Sequence, residues 1–458
     1  MQLMSAPGLI IAAPASGSGK TVLTLALLRA LRRADIAVAS FKVGPDYIDP
    51  AFHARASGRP CINLDSWAMR IETLAGLTDD LSGEAALVIG EGVMGLFDGA
   101  ADGRGSTADL ASLLDLPVIL VVDARGMAAS AAALVEGFTR HRDDVEVAGM
   151  IFNRVASDAH AMLLRRACDD RFAQPVLGCV PDDPRLELPE RHLGLVQAGE
   201  LPDLDGFLDR AAGLVEEHLD LTRLRRLARP FGLGLYGPPA QPLRPLGQRI
   251  AVARDVAFAF AYPAVLEGWR AAGAEIMFFS PLADAAPDPS ATAVYLPGGY
   301  PELYAARLAA NRAFLDGLRA AADKGTFVYG ECGGFMVLGR RLTDGQGESH
   351  AMAGLLPVAT SFAAPRLHLG YRRIRLVAPS PLGQGGTTYR GHEFHYASLL
   401  QTGGAPPLFD VSDALGQPLG PSGAQVGTTA GSFLHLIDRA ADPTDEFGRA
   451  GHLRVAGS

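Results

Sequence analysis

From residue 9 to about residue 225 the chain alternates short apolar runs with longer stretches of helical periodicity. The runs Leu9–Ala12, Ile36–Val43, Ala86–Ile89, Val118–Val122, Val147–Phe152 and Val176–Val180 have the length of strands. Most are apolar throughout, as strands buried on both faces are. Between them Lys20–Arg33, Met127–Arg140 and Asp158–Asp169 are long enough for helices. The alternation predicts a parallel sheet covered by helices. Residues 226–248 break the pattern with proline and glycine, which predicts a linker. Alternation resumes at Arg249, with strands expected at Ile250–Ala253, Ile276–Phe279, Ala293–Leu296 and Thr326–Tyr329 and helices at Tyr262–Ala272 and Glu302–Lys324. Residues 354–437 are richer in short extended runs, such as Tyr371–Val377 and Glu393–Ala397. The expected organisation is an α/β domain over 1–225, the linker 226–248, a second α/β domain over 249–440 and a tail over 441–458.

Composition narrows the partners. The chain has 458 residues and a net charge of 41 − 50 = −9, and no basic run exceeds two residues. That argues against a nucleic-acid partner. Cys61, Cys168, Cys179 and Cys332 are scattered without a CxxC pair, so neither a disulfide framework nor a structural metal is expected. The longest apolar stretch, Leu116–Val122, lies between Asp115 and Asp123 and is far too short for a membrane span. The first apolar run leads straight into a glycine loop, so it reads as a strand and not as a signal peptide. A cytoplasmic protein without a membrane partner is the expectation.

The first chemistry follows the first strand. Pro14-Ala15-Ser16-Gly17-Ser18-Gly19-Lys20-Thr21 opens a helical segment. Gly17, Ser18 and Gly19 let backbone N–H groups converge on phosphate oxygens, Lys20 reaches the β- and γ-phosphates of a nucleotide, and Thr21 offers a hydroxyl to Mg2+. Proline stands where the strict loop has glycine, so this is a variant. A plain glycine-rich turn would not need Lys-Thr at the mouth of a helix. Partition-type ATPases carry a second lysine early in this loop, and Ala15 occupies its place.

Two acidic segments leave later strands: Phe41-Lys42-Val43-Gly44-Pro45-Asp46-Tyr47-Ile48-Asp49-Pro50 and Gly90-Glu91-Gly92-Val93-Met94-Gly95-Leu96-Phe97-Asp98-Gly99. Ligands of open parallel sheets bind at the carboxyl ends of strands, which places Asp46 and Glu91 to share a metal with Thr21. Capping of the following helix is the competing reading for Asp46 and Asp49. Asn153, after Val147–Phe152, suits either an adenine edge or a turn.

In the second domain Gly330-Glu331-Cys332-Gly333-Gly334 lies between the strand Thr326–Tyr329 and an apolar helix at Phe335–Leu338. This is the cysteine form of a nucleophile elbow. A helix N-terminus behind the thiol is expected to lower its pKa, and the Gly333 N–H to serve an oxyanion. The turn Leu296-Pro297-Gly298-Gly299-Tyr300-Pro301 offers a second donor at Gly299. Cys61, Cys168 and Cys179 read as inert buried thiols. The bases on offer are His350, His368, His392, His395 and His435, and His435, after Gly431-Ser432-Phe433-Leu434, is the working choice. Glutaminases of the triad class carry an acid two residues beyond this histidine, where this chain has Ile437. A Cys332–His435 dyad is expected, with any third member remote, such as Asp438 or a backbone carbonyl; His395 is the competing base.

These motifs, in this order, resemble the cobyrinic/hydrogenobyrinic acid a,c-diamide synthase family of cobalamin biosynthesis. The resemblance spans nearly the whole chain and includes Leu188-Pro189-Glu190-Arg191-His192-Leu193-Gly194-Leu195, Pro297–Leu303 and Gly391–Tyr396. It implies an α/β protein of two doubly wound domains: an N-terminal P-loop NTPase-like (dethiobiotin-synthetase-like) parallel sheet and a C-terminal class I glutamine amidotransferase-like mixed sheet. It implies that Cys332 and His435 release ammonia from L-glutamine, and that ATP phosphorylates the a- and c-acetates of a corrinoid before ammonia displaces phosphate. Thr21, Asp46 and Glu91 would serve Mg2+, Asn153 the adenine, and Tyr47, Asp49 and Asp98 the reacting carboxylate. Phe433 stands where the family often has tyrosine. A monomer or homodimer fits. Cobyric acid synthase, a nickel-tetrapyrrole diamide synthase, a partition-type switch and a stand-alone cysteine hydrolase are the rivals. The last leaves the strand-end carboxylates idle, and the switch leaves Gly-Glu-Cys-Gly-Gly unexplained.

Overall fold

The computed structural model describes residues 6–83, 85–191, 194–233 and 241–441. His192 and Leu193 of the Leu188–Leu195 stretch, residues 234–240 of the expected linker and residues 442–458 of the expected tail lie outside the described residues. The chain forms two compact units. One comprises Met1–Trp67, Leu74–Ala240 and Phe258–Glu267, and the other Ala68–Thr73, Gln241–Ala257 and Gly268–Ser458.

The first unit is built on seven strands: β1 (Gly8–Ala12), β2 (Val38–Val43), β3 (Cys61–Leu64), β4 (Leu87–Glu91), β5 (Val118–Asp123), β6 (Val147–Val155) and β7 (Val176–Pro181). Their order is β3-β2-β4-β1-β5-β6-β7, and every neighbouring pair is parallel. The apolar runs behave as expected: Leu9, Ile10, Ile11, Val118, Ile119, Leu120, Val121 and Val122 are all essentially solvent-free. Strand β3 has no counterpart among the expected runs, and the helix α2 (Asp49–Ser57) is the one that the capping reading of Asp46 and Asp49 implies. The helix expected over Met127–Arg140 starts only at Ser130. The helix α1 (Lys20–Arg33) has its expected ends, with Arg32 and Arg33 in the last turn where the helix dipole favours cations.

The second unit has a six-stranded sheet of five parallel strands, Glu275–Phe279, Arg249–Ala253, Ala293–Leu296, Phe327–Glu331 and Thr429–Ser432, closed by the antiparallel strand Ala424–Val426. This is the expected mixed sheet. Residues 341–439 add a four-stranded and a five-stranded sheet, the latter pairing Thr388–His395 with both His368–Leu376 and Leu434–Arg439. The extended run expected over Glu393–Ala397 therefore ends at His395, and a new strand begins at Ser398. The single helix expected over Glu302–Lys324 is three pieces: a 3-10 turn Pro301–Tyr304, a helix Ala305–Ala310 and a helix Arg312–Asp323. Asn311 separates the two helices with ψ 87, a backbone no α-helix tolerates. Its side-chain amide donates to Pro281 O at 2.7 Å, a tertiary bond that offsets the break.

Among the described residues no helix is long and apolar enough to cross a membrane.

Candidate active site

In the first unit the loop between β1 and α1 turns on Gly17 (φ 79) and Gly19 (φ 83), in the left-handed region that favours glycine. Gly19 is constrained twice over, because a Cβ there would meet Asn153 Nδ2 at 2.2 Å. Asn153, at the end of β6, donates from that amide to Ser18 O at 3.0 Å, and Arg154 donates to Gly17 O at 2.6 Å. In this structure both brace the loop from behind. Lys20 is buried at the first position of α1, and burial, then the neighbouring Lys42, pushes its pKa down.

Parallel register assembles the charges beside the loop. Glu91, the last residue of β4, lies opposite Lys42 of β2 on one side and Ile11 of β1 on the other. Thr21 Oγ1 donates to Glu91 Oε1 at 2.6 Å and lies 3.5 Å from Asp49 Oδ2. The Lys42 ammonium donates to Asp49 Oδ2 at 2.6 Å and to Glu91 Oε1 at 2.7 Å, with Asp46 Oδ2 at 4.0 Å. His53, buried in α2, reaches Glu91 Oε2 through Nε2 at 2.6 Å. Thr21 Oγ1, Asp49 and Glu91 are hard oxygen donors converging next to a phosphate loop, a set suited to Mg2+.

Burial alone would neutralise these groups. It pushes Glu91 up, but the Lys42 ammonium and the His53 hydrogen bond outweigh it and hold the carboxyl well below its usual range. Asp49 goes the other way, to about 7, because burial and Asp46 outweigh the pull of Lys42. Lys42 is held above the usual lysine range: Asp49 and Glu91 overcome the burial that would lower it.

The structure places Asp46 and Asp49 differently around Thr21. Asp46 spends Oδ1 on the backbone amides of Ile48 (2.8 Å) and Asp49 (3.1 Å), the capping alternative, and stands at the rim of the oxygen cluster. Asp49, expected near the substrate, is the aspartate brought to Thr21. Tyr47 is half-buried and stacks on Phe260 and Tyr262 of the same unit, with ring centroids 5.3 and 4.3 Å away. Asp98 is exposed in a turn that accepts Gly95 N–H at 2.9 Å, beside the loop through Leu96 N to Ala13 O at 2.8 Å. Lys42, His53 and Asn63, which donates to Gly44 O and Asp46 O at 2.9 and 2.7 Å and so pins the Asp46 turn, were not singled out from sequence. For Lys42 a signal was available: it is the one charge in the run Ile36–Val43.

In the second unit Cys332 follows the strand Phe327–Glu331 with φ 46 and ψ −104, a strained conformation for a residue with a Cβ and the mark of a sharp elbow. The glycines make the turn feasible: a Cβ on Gly330 would meet Gly334 C at 2.6 Å, and one on Gly334 would meet Leu296 O at 2.0 Å. Gly299 and Gly333 come together, since a Cβ on Gly333 would lie 3.1 Å from Gly299 N. A Cβ built on Gly298 would lie 3.3 Å from Cys332 Cβ, 2.5 Å from His435 Cε1 and 3.4 Å from His435 Nε2. Thiol and imidazole thus face one small space beside the two candidate oxyanion donors.

Here one expectation fails. The helix behind the thiol spans only Gly333–Leu338, and the thiol is not acidified. Burial first, then the carboxylate of Glu302, pushes Cys332 up; the hydrogen bond from the Gly333 amide only opposes this. Cys332 therefore rests as a neutral thiol that needs a base. Burial, then His392 and His395, pushes the His435 imidazole well below its usual range, so it rests neutral. His395 faces acceptors at both ring nitrogens, Ala397 O at 3.0 Å and Glu393 Oε1 at 2.9 Å, and stacks on Phe433. Asp438, the suggested remote third member, is engaged elsewhere: Arg70 of the same unit donates to both its oxygens, at 2.8 to 3.1 Å. Two carboxylates bear on His435: Glu331, next to the nucleophile, brings Oε2 to 3.8 Å from Nδ1, and Glu393 opposes the downward push of burial on the imidazole.

Comparison with known proteins agrees with this division. Residues 9–196 match the CobQ/CobB/MinD/ParA nucleotide binding domain, and residues 249–442 the CobB/CobQ-like glutamine amidotransferase domain. A protein named hydrogenobyrinate a,c-diamide synthase from Sinorhizobium sp is 54% identical over 433 residues, 94% of this chain and 99% of the relative. Its namesake from Brucella anthropi is 54% identical over 94% of this chain and 98% of the relative. That from Mesorhizobium japonicum is 52% identical over 96% of this chain and the full length of the relative. A likeness of this depth along both units settles the family: the chain belongs to the hydrogenobyrinate a,c-diamide synthases.

Proposed function

We propose that this protein converts the a- and c-acetate carboxylates of hydrogenobyrinate to amides in the cytoplasm, using ATP and ammonia taken from glutamine. The observation that carries the reading is the 54% identity over 94% of the chain to proteins named for that reaction. The two sites support it, since each supplies one half of the chemistry.

In the first unit a substrate carboxylate oxygen attacks the γ-phosphorus of ATP, ADP leaves, and an acyl phosphate forms. Ammonia then attacks the acyl carbon and inorganic phosphate departs. Gly17, Ser18 and Gly19 offer the loop, and Lys20 places its ammonium against the β- and γ-phosphates. Thr21, Asp49 and Glu91, with Asp46 at the rim, hold Mg2+, which offsets triphosphate charge. Lys42 and His53 keep the Glu91 carboxylate ionised and oriented. Tyr47 and Asp98 line the approach of the reacting carboxylate, and Asn153 serves the nucleotide from behind the loop.

In the second unit Cys332 attacks the glutamine amide carbon, and the oxyanion forms between the Gly299 and Gly333 amides. His435 takes the thiol proton and returns it to the leaving nitrogen as ammonia departs. Water then cleaves the thioester to glutamate. The test is mass spectrometry of hydrogenobyrinic acid incubated with the protein, ATP, Mg2+ and glutamine, with cobyrinic acid in parallel. A product amidated at both acetates is expected; amidation of propionate side chains instead, or none, overturns the reading.

A further inference from the structure

We propose that Glu331 is the positioning residue of the thiol site, its carboxylate holding the Nδ1 edge of His435 while the Nε2 edge serves Cys332. The inference rests on the glutaminase reading and supplies the acid that Ile437 cannot. The geometry points to it from several sides. Glu331 Oε2 lies 3.8 Å from His435 Nδ1, an ion-pair distance that a small contraction converts to a hydrogen bond once the imidazole is charged. His435 Nε2 lies on the opposite edge, next to Gly298 and Cys332. The carboxylate is itself fixed: Tyr295 Oη donates to Oε2 at 2.9 Å, and Tyr329 Oη and the Leu436 amide donate to Oε1 at 3.1 and 3.3 Å. Such a set of donors around a side chain buried in a parallel sheet suits an anion, not a filler.

The other charged and titratable groups near His435 are placed differently. From the strand Thr388–His395, His392 stacks on His435 with centroids 4.9 Å apart, and burial, then Arg372, pushes it down to about 3, so it is neutral. Glu393 is shared by Arg372 and His395, both at 2.9 Å. His395 stacks on His368 and Phe433. Cys332 and the buried Glu302 face the thiol side. Glu331 thus stands where the acid of a full triad acts, although it is reached from the nucleophile's own strand. In the reaction the thiol proton moves to Nε2, the Nδ1 proton stays in place, and Glu331 remains a carboxylate opposite the new imidazolium.

Its own titration makes the proposal testable. Burial raises Glu331 to about 7, against the hydrogen bonds from Tyr295, Leu436 and Tyr329. The negative form is the one that favours the imidazolium, so native glutaminase kcat/KM should fall as pH drops through about 7. Glu331→Gln should lower the plateau of glutaminase kcat by about 10²-fold or more, with little change in KM, and erase that acid limb. A native-like thermal unfolding transition of the variant is the control for folding, since ammonia-dependent amidation belongs to the other unit. Tyr295→Phe, which removes one donor to the anion, should move the limb to higher pH and leave the high-pH plateau within about three-fold. If Glu331→Gln fails the folding control, the Tyr295→Phe limb alone decides. Glutaminase undiminished in Glu331→Gln overturns the proposal, and so does an acid limb unmoved in both variants, as a purely structural carboxylate would give. Absence of glutaminase in the native protein would instead overturn the glutaminase reading itself.

Discussion

Replacing Lys42 by methionine removes a charge and little volume, and it tests how the first site is held together. In the native protein one buried ammonium lies 2.6 Å from Asp49 and 2.7 Å from Glu91. Without it, two buried carboxylates and the nearby Asp46 face one another, with His53 and Thr21 left on Glu91 and only the long Thr21 contact of 3.5 Å left on Asp49. Removing one member of a buried ion pair costs about 3–5 kcal/mol, most of it from the stranded charge. That cost has a direction in pH. Native Glu91 is depressed, so its contribution is present above the unfolded carboxyl pKa and fades as pH falls through that range. In Lys42→Met the Glu91 carboxyl is raised and Asp49, already at about 7 in the native protein, is raised further, so the folded variant takes up protons that its unfolded state has released. Their penalty is relieved toward acid and grows as pH rises. Denaturant unfolding at about pH 5.5 and about pH 8.5 should therefore show the variant-to-native gap widening at the higher pH. A uniform loss at both values, or a loss below about 1 kcal/mol at the higher, would refute the idea that Lys42 neutralises this cluster.

Cys332→Ala should abolish glutamine-dependent amidation and spare the ammonia-dependent reaction, as assayed with each nitrogen donor, because the two chemistries belong to different units. Equal loss with both donors would contradict that division. Lys20→Ala should remove amidation with either donor while leaving residual glutaminase; ammonia-dependent product in this variant would count against the phosphate-loop assignment. His435→Ala should cut glutaminase kcat by about 10²-fold or more, the weight of a positioned base. A dead His395→Ala beside an active His435→Ala would reassign the base.

The strand pattern was legible because parallel strands buried on both faces must be apolar throughout, and six such runs lie in the first sheet. The misses have physical causes. Strand Cys61–Leu64 has four residues at the sheet edge with Asn63 among them, too short and too polar to register as a run. The Glu302–Lys324 stretch keeps a helical rhythm of Ala, Leu and Arg through Asn311, and only a tertiary hydrogen bond to Pro281 shows why the helix stops there. At the thiol, local sequence shows the helix start that would acidify it and hides the burial that dominates.

The site residues divide along the same line. Lys20, Thr21, Asp46, Glu91 and Cys332 stand in glycine-rich turns or at their mouths, where sequence itself announces that a backbone is shaped for a ligand. Lys42 lies inside β2 and Glu331 ends its strand, as Glu91 ends β4, and a charge in a strand means nothing until its neighbours are known. Register supplies them: Lys42 falls opposite Glu91, and Glu331 falls opposite Ser432, three residues before His435. Each is buried, so its charge persists only against the partners that register provides. A strand-borne charge is therefore costly to keep without a function, which makes Lys42 and Glu331 better pointers to chemistry than exposed acids in loops. The sequence signal is a single charged residue at or next to the end of a mostly apolar parallel strand. It recurs in both units, in Ile36–Val43 and in Phe327–Glu331, each time just before a turn that contains glycine.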